Sequence, residues 1–251
     1  MRPCDNHEIS QLNELKIDLE AFVFVAHYRM NGDIIMTEQM PIMGGWAGGI
    51  EETAIVGTAT HLNTPTLVGG DWHLDGPTHM RWGITTAREC LLIAAHINRA
   101  IERHSHLLTG NQYYTAAGPC TEMCLLEAAA QAVTDTASGR ELMSGCASAK
   151  GTILDRTTPI EARMMAYAAR AVAGMDPKDV NRLLDKLVET YEGIPADAPR
   201  GSKREKFNNP PIGKTFQECY DVITLEPTDE HLQVLGKAMK TMEKIGFEFK
   251  L

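Results

Sequence analysis

Apolar and polar positions come in blocks along this chain, and their period changes from block to block. The run "AFVFVAHY" at 21–28 is apolar, β-branched and aromatic with no helical period, which predicts a strand buried on both faces. The preceding "HEISQLNELKIDLE", at 7–20, predicts a helix. Residues 50–63 predict a helix, "PTLVGG" at 65–70 a strand, and "TTARECLLIAAHINRAIERHSHLL" at 85–108 a long amphipathic helix that Thr85 or Thr86 would cap. Next come a strand at 111–118 ("NQYYTAAG"), an Ala- and Leu-rich helix at 121–133, a short strand at 142–148 ("LMSGCAS") and helices at 159–174 and 177–192. A Pro-rich polar stretch at 195–214 predicts a solvated loop with its "KREK" at the surface, and a charged helix covers 228–245.

Strands alternating with helices imply a parallel α/β sheet. Four or five such units are about half of the eight in a closed barrel. The expected fold class is therefore α/β: about half of a (β/α)8 TIM-type barrel with C-terminal helices, residues 1–251 forming one portion of a single barrel domain. The chain has no internal repeat. Half a barrel leaves two strand edges unpaired, a liability that a stable monomer avoids.

With 251 residues, 43% hydrophobic and 23% charged, the chain can bury a sizeable core. Lys and Arg number 24 against 33 Asp and Glu, and this net charge of −9 argues against a nucleic-acid partner. Apolar stretches such as "LLIAAHI" at 91–97 fall well short of the roughly 20 residues of a membrane span, and the N-terminal sequence has no signal-peptide core. Six cysteines are too sparse for a disulfide scaffold, so a reducing cytoplasm is the expected location.

Four stretches carry candidate chemistry. In "TEQMPIMGGWAGGIEETA", 37–54, Glu38 stands on a loop ahead of two Gly-Gly pairs; their spacing fits neither a dinucleotide fingerprint nor a P-loop, and a tight loop before a helix is the favoured reading. "DWHLDGPTHMRWG", 71–83, gathers His73, Asp75 and His79, which could bind zinc or iron at a strand end, or could hydrogen-bond around a turn at Asp75-Gly76-Pro77. Cys120 and Cys124 lie four apart at a helix start, where the dipole favours a thiolate, but buried inert thiols are the expectation. In "GNQYYTAAGPC", 110–120, alternation puts Gln112 and Tyr114 on one face of a strand and Tyr113 on the other. An amide and a phenol on the inward face of a barrel can orient a small polar substrate; packing between strand and helix is the competing role for a tyrosine.

Several long blocks, "HEISQLNELKIDLEA", "EQMPIMGGWAGGIEETAIV", "DWHLDGPTHMRWG", "GNQYYTAAGPCTEMCLLEAAAQAVTDTASGRELMSG" and "GKTFQECYDV", resemble the C-terminal part of the monomethylamine methyltransferase family, pyrrolysine-containing enzymes of methylamine-using methanogens and some bacteria. The resemblance implies a (β/α)8 barrel, a homo-oligomer, and transfer of a methyl group from monomethylamine to the Co(I) corrinoid of a separate carrier protein, with no cofactor bound tightly by the methyltransferase itself. By matched motif, the family's pocket residues fall on Glu38, Gln112 and Tyr114. Glu38 would take the proton of methylammonium or protonate an imine, Gln112 would hold the adduct, and Tyr114 would close the pocket.

In the family the pyrrolysine, encoded by an in-frame amber codon, lies upstream of the block matching "MRPCDNHEIS". We expect the reading frame to open at the first Met after such a codon, and the activity to need the upstream half; a stand-alone fragment is the competing explanation. The stretch at 200–212 also looks longer than in the family. Two other functions stay open: a metal-dependent barrel hydrolase using His73, Asp75 and His79, and a non-catalytic fragment that binds the carrier protein or full-length subunits.

Overall fold

The computed structural model describes residues 5–10, 16, 18–199 and 201–249. Strands β1 (Asn6–Ser10), β2 (Ile34–Gln39), β4 (Trp72–Asp75), β6 (Leu108–Tyr114) and β7 (Leu142–Ala147) form a curled sheet in that order, every pairing parallel. Each step along the sheet is a crossover through a helix: α1 (Leu19–Asn31), α2 (Ile50–Asn63), α3 (Arg88–His104) and α4 (Glu122–Ser138). This is the half-barrel expected. A second, two-stranded parallel ladder, β3 (Ile42–Met43) with β5 (Thr78–His79), lies beyond the ends of β2 and β4. The helices α5 (Pro159–Val172), α6 (Pro177–Glu192), α7 (Glu205–Asn208), α8 (Phe216–Cys219) and α9 (Asp229–Ile245) complete the chain.

Three local expectations are corrected. The run at 21–28 is helical, inside α1: Asp18 caps it by accepting from Ala21 N at 2.8 Å, and Gly32 ends it in a left-handed conformation. Its apolar residues lack a helical period because only one side packs on the sheet, where Ala21, Val25 and Tyr28 meet Ile9, Ile35 and Val68; Leu19, Val23 and Met30 are exposed. The residues read as a helix at 7–20 instead begin with β1, and 11–15 and 17 lie outside the described residues. "PTLVGG" falls in a π-helical turn, Thr64–Val68, that extends α2 and delivers the chain to β4.

The core centres on α4, buried along nearly its whole length. Its alanines, Ala128, Ala129, Ala130 and Ala132, add little bulk, so α3, α5, α6 and α9 all pack closely around it. Thr121 caps α4 by accepting from Cys124 N at 3.3 Å. The caps expected for α3 are absent: Ala87 holds that position with no side-chain bond. Thr85 and Thr86 instead point their hydroxyls at α4.

The 195–214 stretch is only partly the solvated loop expected. Arg204 is 3% exposed and Phe207 fully buried. Arg204 donates to Glu89 at 2.5 and 2.7 Å and lies over Trp82, and Lys206 donates to the Thr190 carbonyl at 2.5 Å, so the "KREK" segment anchors to the body of the domain through two of its cations. Among the described residues, no helix is long and apolar enough to cross a membrane.

Candidate active site on the concave face of the sheet

Alternation sorts the strand residues into two sets. Toward the helices point Thr37, His73, Asp75, Thr109, Asn111 and Tyr113, each hydrogen-bonded to another buried side chain. Toward the concave face point Met36, Glu38, Trp72, Leu74, Gly110, Gln112 and Tyr114. Register aligns Ser10, Glu38, Leu74, Gly110 and Leu142 in one row across the sheet, with Gln112 and Tyr114 further toward the C-terminal ends of the strands. In parallel barrels that end carries the chemistry. Glu38, expected on a loop, is thus a strand residue, and the expected split of Gln112 and Tyr114 from Tyr113 is observed.

The polar stripe of α4 explains how β6 is held. Glu127, Gln131 and Asp135 recur every four residues and so lie on one side of the helix. Asp135 accepts from Asn111 Nδ2 at 2.9 Å and from the Tyr113 hydroxyl at 2.8 Å. Gln131 donates to the carbonyl of Gln112 at 3.0 Å and accepts from the Thr85 hydroxyl at 2.6 Å. Thr85 in turn accepts from Tyr114 N at 2.9 Å and donates its own N–H to the Tyr114 carbonyl at 3.0 Å. Glu127 accepts from Ala116 N at 2.7 Å, Ala117 N at 3.0 Å and the Thr86 hydroxyl at 2.5 Å. Three side chains of one helix therefore set the backbone that presents Gln112 and Tyr114. Burial pushes the Glu127 carboxyl up to about 7, against the lowering effect of these donors.

Glu38 has an acidic neighbour. Glu8 of β1 projects onto the same face, hydrogen-bonds to Glu38, and accepts from Ser10 Oγ at 2.8 Å. Burial, then the bond and the charge of Glu8, raise the Glu38 carboxyl to about 8. Burial and the neighbouring Glu8 thus favour the protonated form of Glu38, the form that can donate a proton. Glu8 lies in the stretch expected to be helical, and its place on the sheet follows from β1. The signal was the alternation within "NHEIS", which puts Ile9 on the helix side and Glu8 and Ser10 on the other.

His73, Asp75 and His79 do not form one site. Burial opposes the Asp75 charge, but Arg140 at 2.9 Å and His61 at 2.9 Å outweigh it and hold the carboxyl at about 2. His73 Nδ1 lies 2.6 Å from Thr37 Oγ1 and 3.0 Å from Thr64 Oγ1, and its burial lowers its proton affinity well below normal. His79 accepts from Arg81 N at 3.2 Å and stacks on Trp82 with ring centroids 4.0 Å apart. Asp75 thus belongs to a buried Arg140–Asp75–His61 network, His73 packs its ring on His61 beside it, and the turn expected to gather the histidines gathers neither. Among the described residues no cluster of three His, Cys, Asp or Glu could hold a metal ion.

The other candidates are structural. The two Gly-Gly pairs form a tight loop: Gly44 and Gly48 have φ of 81° and 94°, and Gly44 N donates to Gly48 O at 2.8 Å just before α2. Cys124 is buried within bonding distance of Thr115 and Ser148, 3.4 Å from each, and burial raises its thiol well above normal. Burial likewise raises Cys120. Neither is an activated nucleophile. Away from the concave face, a cavity of about 330 Å³ lies between α3 and α6, lined by Leu91, Leu92, Leu184, Val188 and Asp185.

The sequence and fold have close counterparts. The family model of monomethylamine methyltransferase MtmB matches residues 1–247. Monomethylamine methyltransferase MtmB1 of Methanosarcina barkeri is 56% identical over 249 residues, which are 99% of this chain and 52% of that protein. MtmB of Methanosarcina mazei is 56% identical over 245 residues, 98% of this chain and 51% of its own. The crystal structure of the M. barkeri monomethylamine methyltransferase and that of a hydroxylamine MtmB complex each match with a TM-score of 0.92 at 55% identity, over 99% of this chain and 52% of theirs. The chain spans about half the length of the curated relatives it matches.

Proposed function

The chain belongs to the monomethylamine methyltransferase MtmB family, and from that premise we propose that its concave face is part of a site that moves the methyl group of monomethylamine to the Co(I) corrinoid of a separate carrier protein. The corrinoid is a substrate held by that partner. The observation that carries the reading is the placement of Glu38 on the same face and near the same end of the sheet as Gln112 and Tyr114, with a carboxyl raised by burial and by Glu8.

The family places the electrophile, a pyrrolysine, upstream of the blocks matched here; when present it supplies an imine carbon to which an amine can add. The concave face suits such a group. Its lower rows set apolar Met36, Trp72 and Leu74 beside Glu8, Ser10 and Glu38, and Gln112 and Ser144 add polar groups beyond them. Glu38 holds a proton that it can deliver to a nitrogen as that nitrogen takes on basic character. Gln112 hydrogen-bonds the bound amine, and Tyr114 walls the pocket. In-line transfer of a methyl group leaves little proton chemistry for the protein, so alignment carries most of the catalysis.

Two open edges, on β1 and β7, suit a sheet that closes with further strands, and the activity in this reading requires them. Homo-oligomeric assembly and a cytoplasmic location complete the proposal. The five described cysteines that are free thiols, Cys90, Cys120, Cys124, Cys146 and Cys219, fit a reducing compartment. The test is translation through an in-frame amber codon upstream of Met1, followed by a spectroscopic assay of Co(I) methylation on a corrinoid carrier. Methylamine-dependent formation of methyl-Co(III) supports the reading; no such product from the joined polypeptide overturns it.

A further inference from the structure

Strand β7 is irregular at one place. Gly110 and Asn111 of β6 stand opposite Leu142 and Met143, but Tyr113 and Tyr114 stand opposite Cys146 and Ala147. One extra residue has entered β7, and two residues, Ser144 and Gly145, share the position opposite Gln112. Such bulges bend a strand and redirect a side chain, and they recur beside active sites. Here the redirected side chain is Ser144, whose hydroxyl donates to Gln112 Oε1 at 2.9 Å.

In this structure that bond occupies the accepting end of the Gln112 amide. A primary amide has an accepting oxygen and a donating NH2, nearly identical in shape, and only its partners orient it. The Gln112 backbone is already held from behind by Gln131. With Oε1 taken by Ser144, Nε2 is left with no hydrogen bond among the described residues.

We propose that Ser144, delivered by the β7 bulge, is a positioning residue that turns the Gln112 NH2 into the pocket, so that the site selects a ligand atom bearing a lone pair, a neutral amine nitrogen, over an ammonium ion. An N–H donor repels a fully protonated ammonium group, which has no lone pair to offer, and it stabilises the nitrogen once the proton has left. Gln112 then meets the one lone pair of the amine nitrogen, and the Glu38 proton is left for the nitrogen that becomes basic when the amine adds. This assignment rests on the amine-pocket reading of the concave face.

The experiment uses the full-length family polypeptide with these residues and reads both amide orientation and kinetics. Crystal structures of the wild type and of Ser144→Ala, refined with the Gln112 amide assigned from its partners, are expected to show an ordered amide in the first and a flipped or disordered amide in the second. In kinetics, Ser144→Ala is expected to lower kcat/KM for methylamine about 10-fold, the loss of one oriented hydrogen bond, while Ser144→Thr, which keeps the hydroxyl, restores it. In a Gln112→Ala background the Ser144→Ala change is expected to cost nothing further. An unchanged amide in Ser144→Ala, or an equal Ser144→Ala loss with and without Gln112, overturns the proposal. If the wild-type enzyme shows no methylamine-dependent activity, the functional reading fails, and the crystallographic comparison still decides the role of Ser144.

Discussion

Gln131 of α4 donates its side-chain amide to the backbone carbonyl of Gln112 at 3.0 Å, so a helix behind the sheet holds the strand residue that faces the pocket in front of it. The same Gln131 accepts from Thr85, which bonds both backbone polar groups of Tyr114. Replacing Gln131 with Leu takes a donor from the Gln112 carbonyl and the acceptor from the Thr85 hydroxyl proton in a buried layer. The expected loss of stability is about 1–3 kcal/mol, checked by urea denaturation of the variant beside the parent.

Arg140 and Asp75 form a buried ion pair at 2.9 Å, with Asp135 3.3 Å from the same guanidinium. Asp75→Asn removes one charge and leaves the cation undercompensated. A cost of about 3–5 kcal/mol is expected, as for other broken buried pairs, measured as a fall in thermal midpoint. The pH dependence has two opposed parts. Asp75 is depressed from 3.8 to about 2, so its contribution is complete above 3.8 and disappears as pH falls through about 2. Asp135 is raised from 3.8 to about 6, so its contribution is complete below 3.8 and is lost as pH rises through about 6. Stability curves of Asp75→Asn and Asp135→Asn against the wild type separate the two windows.

Glu38 gives a prediction in a different range. Its carboxyl is raised from 4.5 to about 8, so protonation favours the folded state: the contribution is complete below 4.5 and lost as pH rises through about 8. Between those limits wild-type stability should decline relative to Glu38→Gln, whose amide does not titrate. A denaturation series across that span checks it, and parallel curves would exclude a Glu38 proton shared with Glu8.

Gly151 sits in a turn in which Ala149, Lys150 and Gly151 all have positive φ, 51°, 65° and 65°. A Cβ at Gly151 would lie 2.6 Å from Tyr114 Cε1, so Gly151→Ala meets both backbone strain and a ring it must displace. A loss of about 1–3 kcal/mol is expected, together with a changed near-UV circular dichroism signal as the Tyr114 ring moves.

Much of this architecture is legible in the sequence: the 3.6-residue period of 85–108 and the Ala- and Leu-rich composition of 121–133 mark residues that are helical in the structure, as α3 and α4. Helix α1 is not legible, because a crossover helix that covers one strand pair needs only one packed face, and the remaining apolar residues erase the period. The strand "IIMTEQ" is hidden for the opposite reason. Its helix-side residues include Thr37 and Gln39, buried polar groups that break the apolar alternation of an ordinary strand. The positions of Glu38, Gln112 and Tyr114 came from matched motifs, whereas Glu8, Ser144 and the α4 stripe depend on register and on which faces meet, information that a single strand does not contain.

The central claim is that an amine binds on the concave face between Glu38 and Gln112. The most direct measurement is a crystal structure of the full-length protein with methylamine or hydroxylamine bound. The account predicts the amine nitrogen within hydrogen-bonding distance of the Glu38 carboxyl and the Gln112 amide, beside Tyr114. An amine bound elsewhere, such as in the cavity between α3 and α6, with the concave face empty, would contradict it.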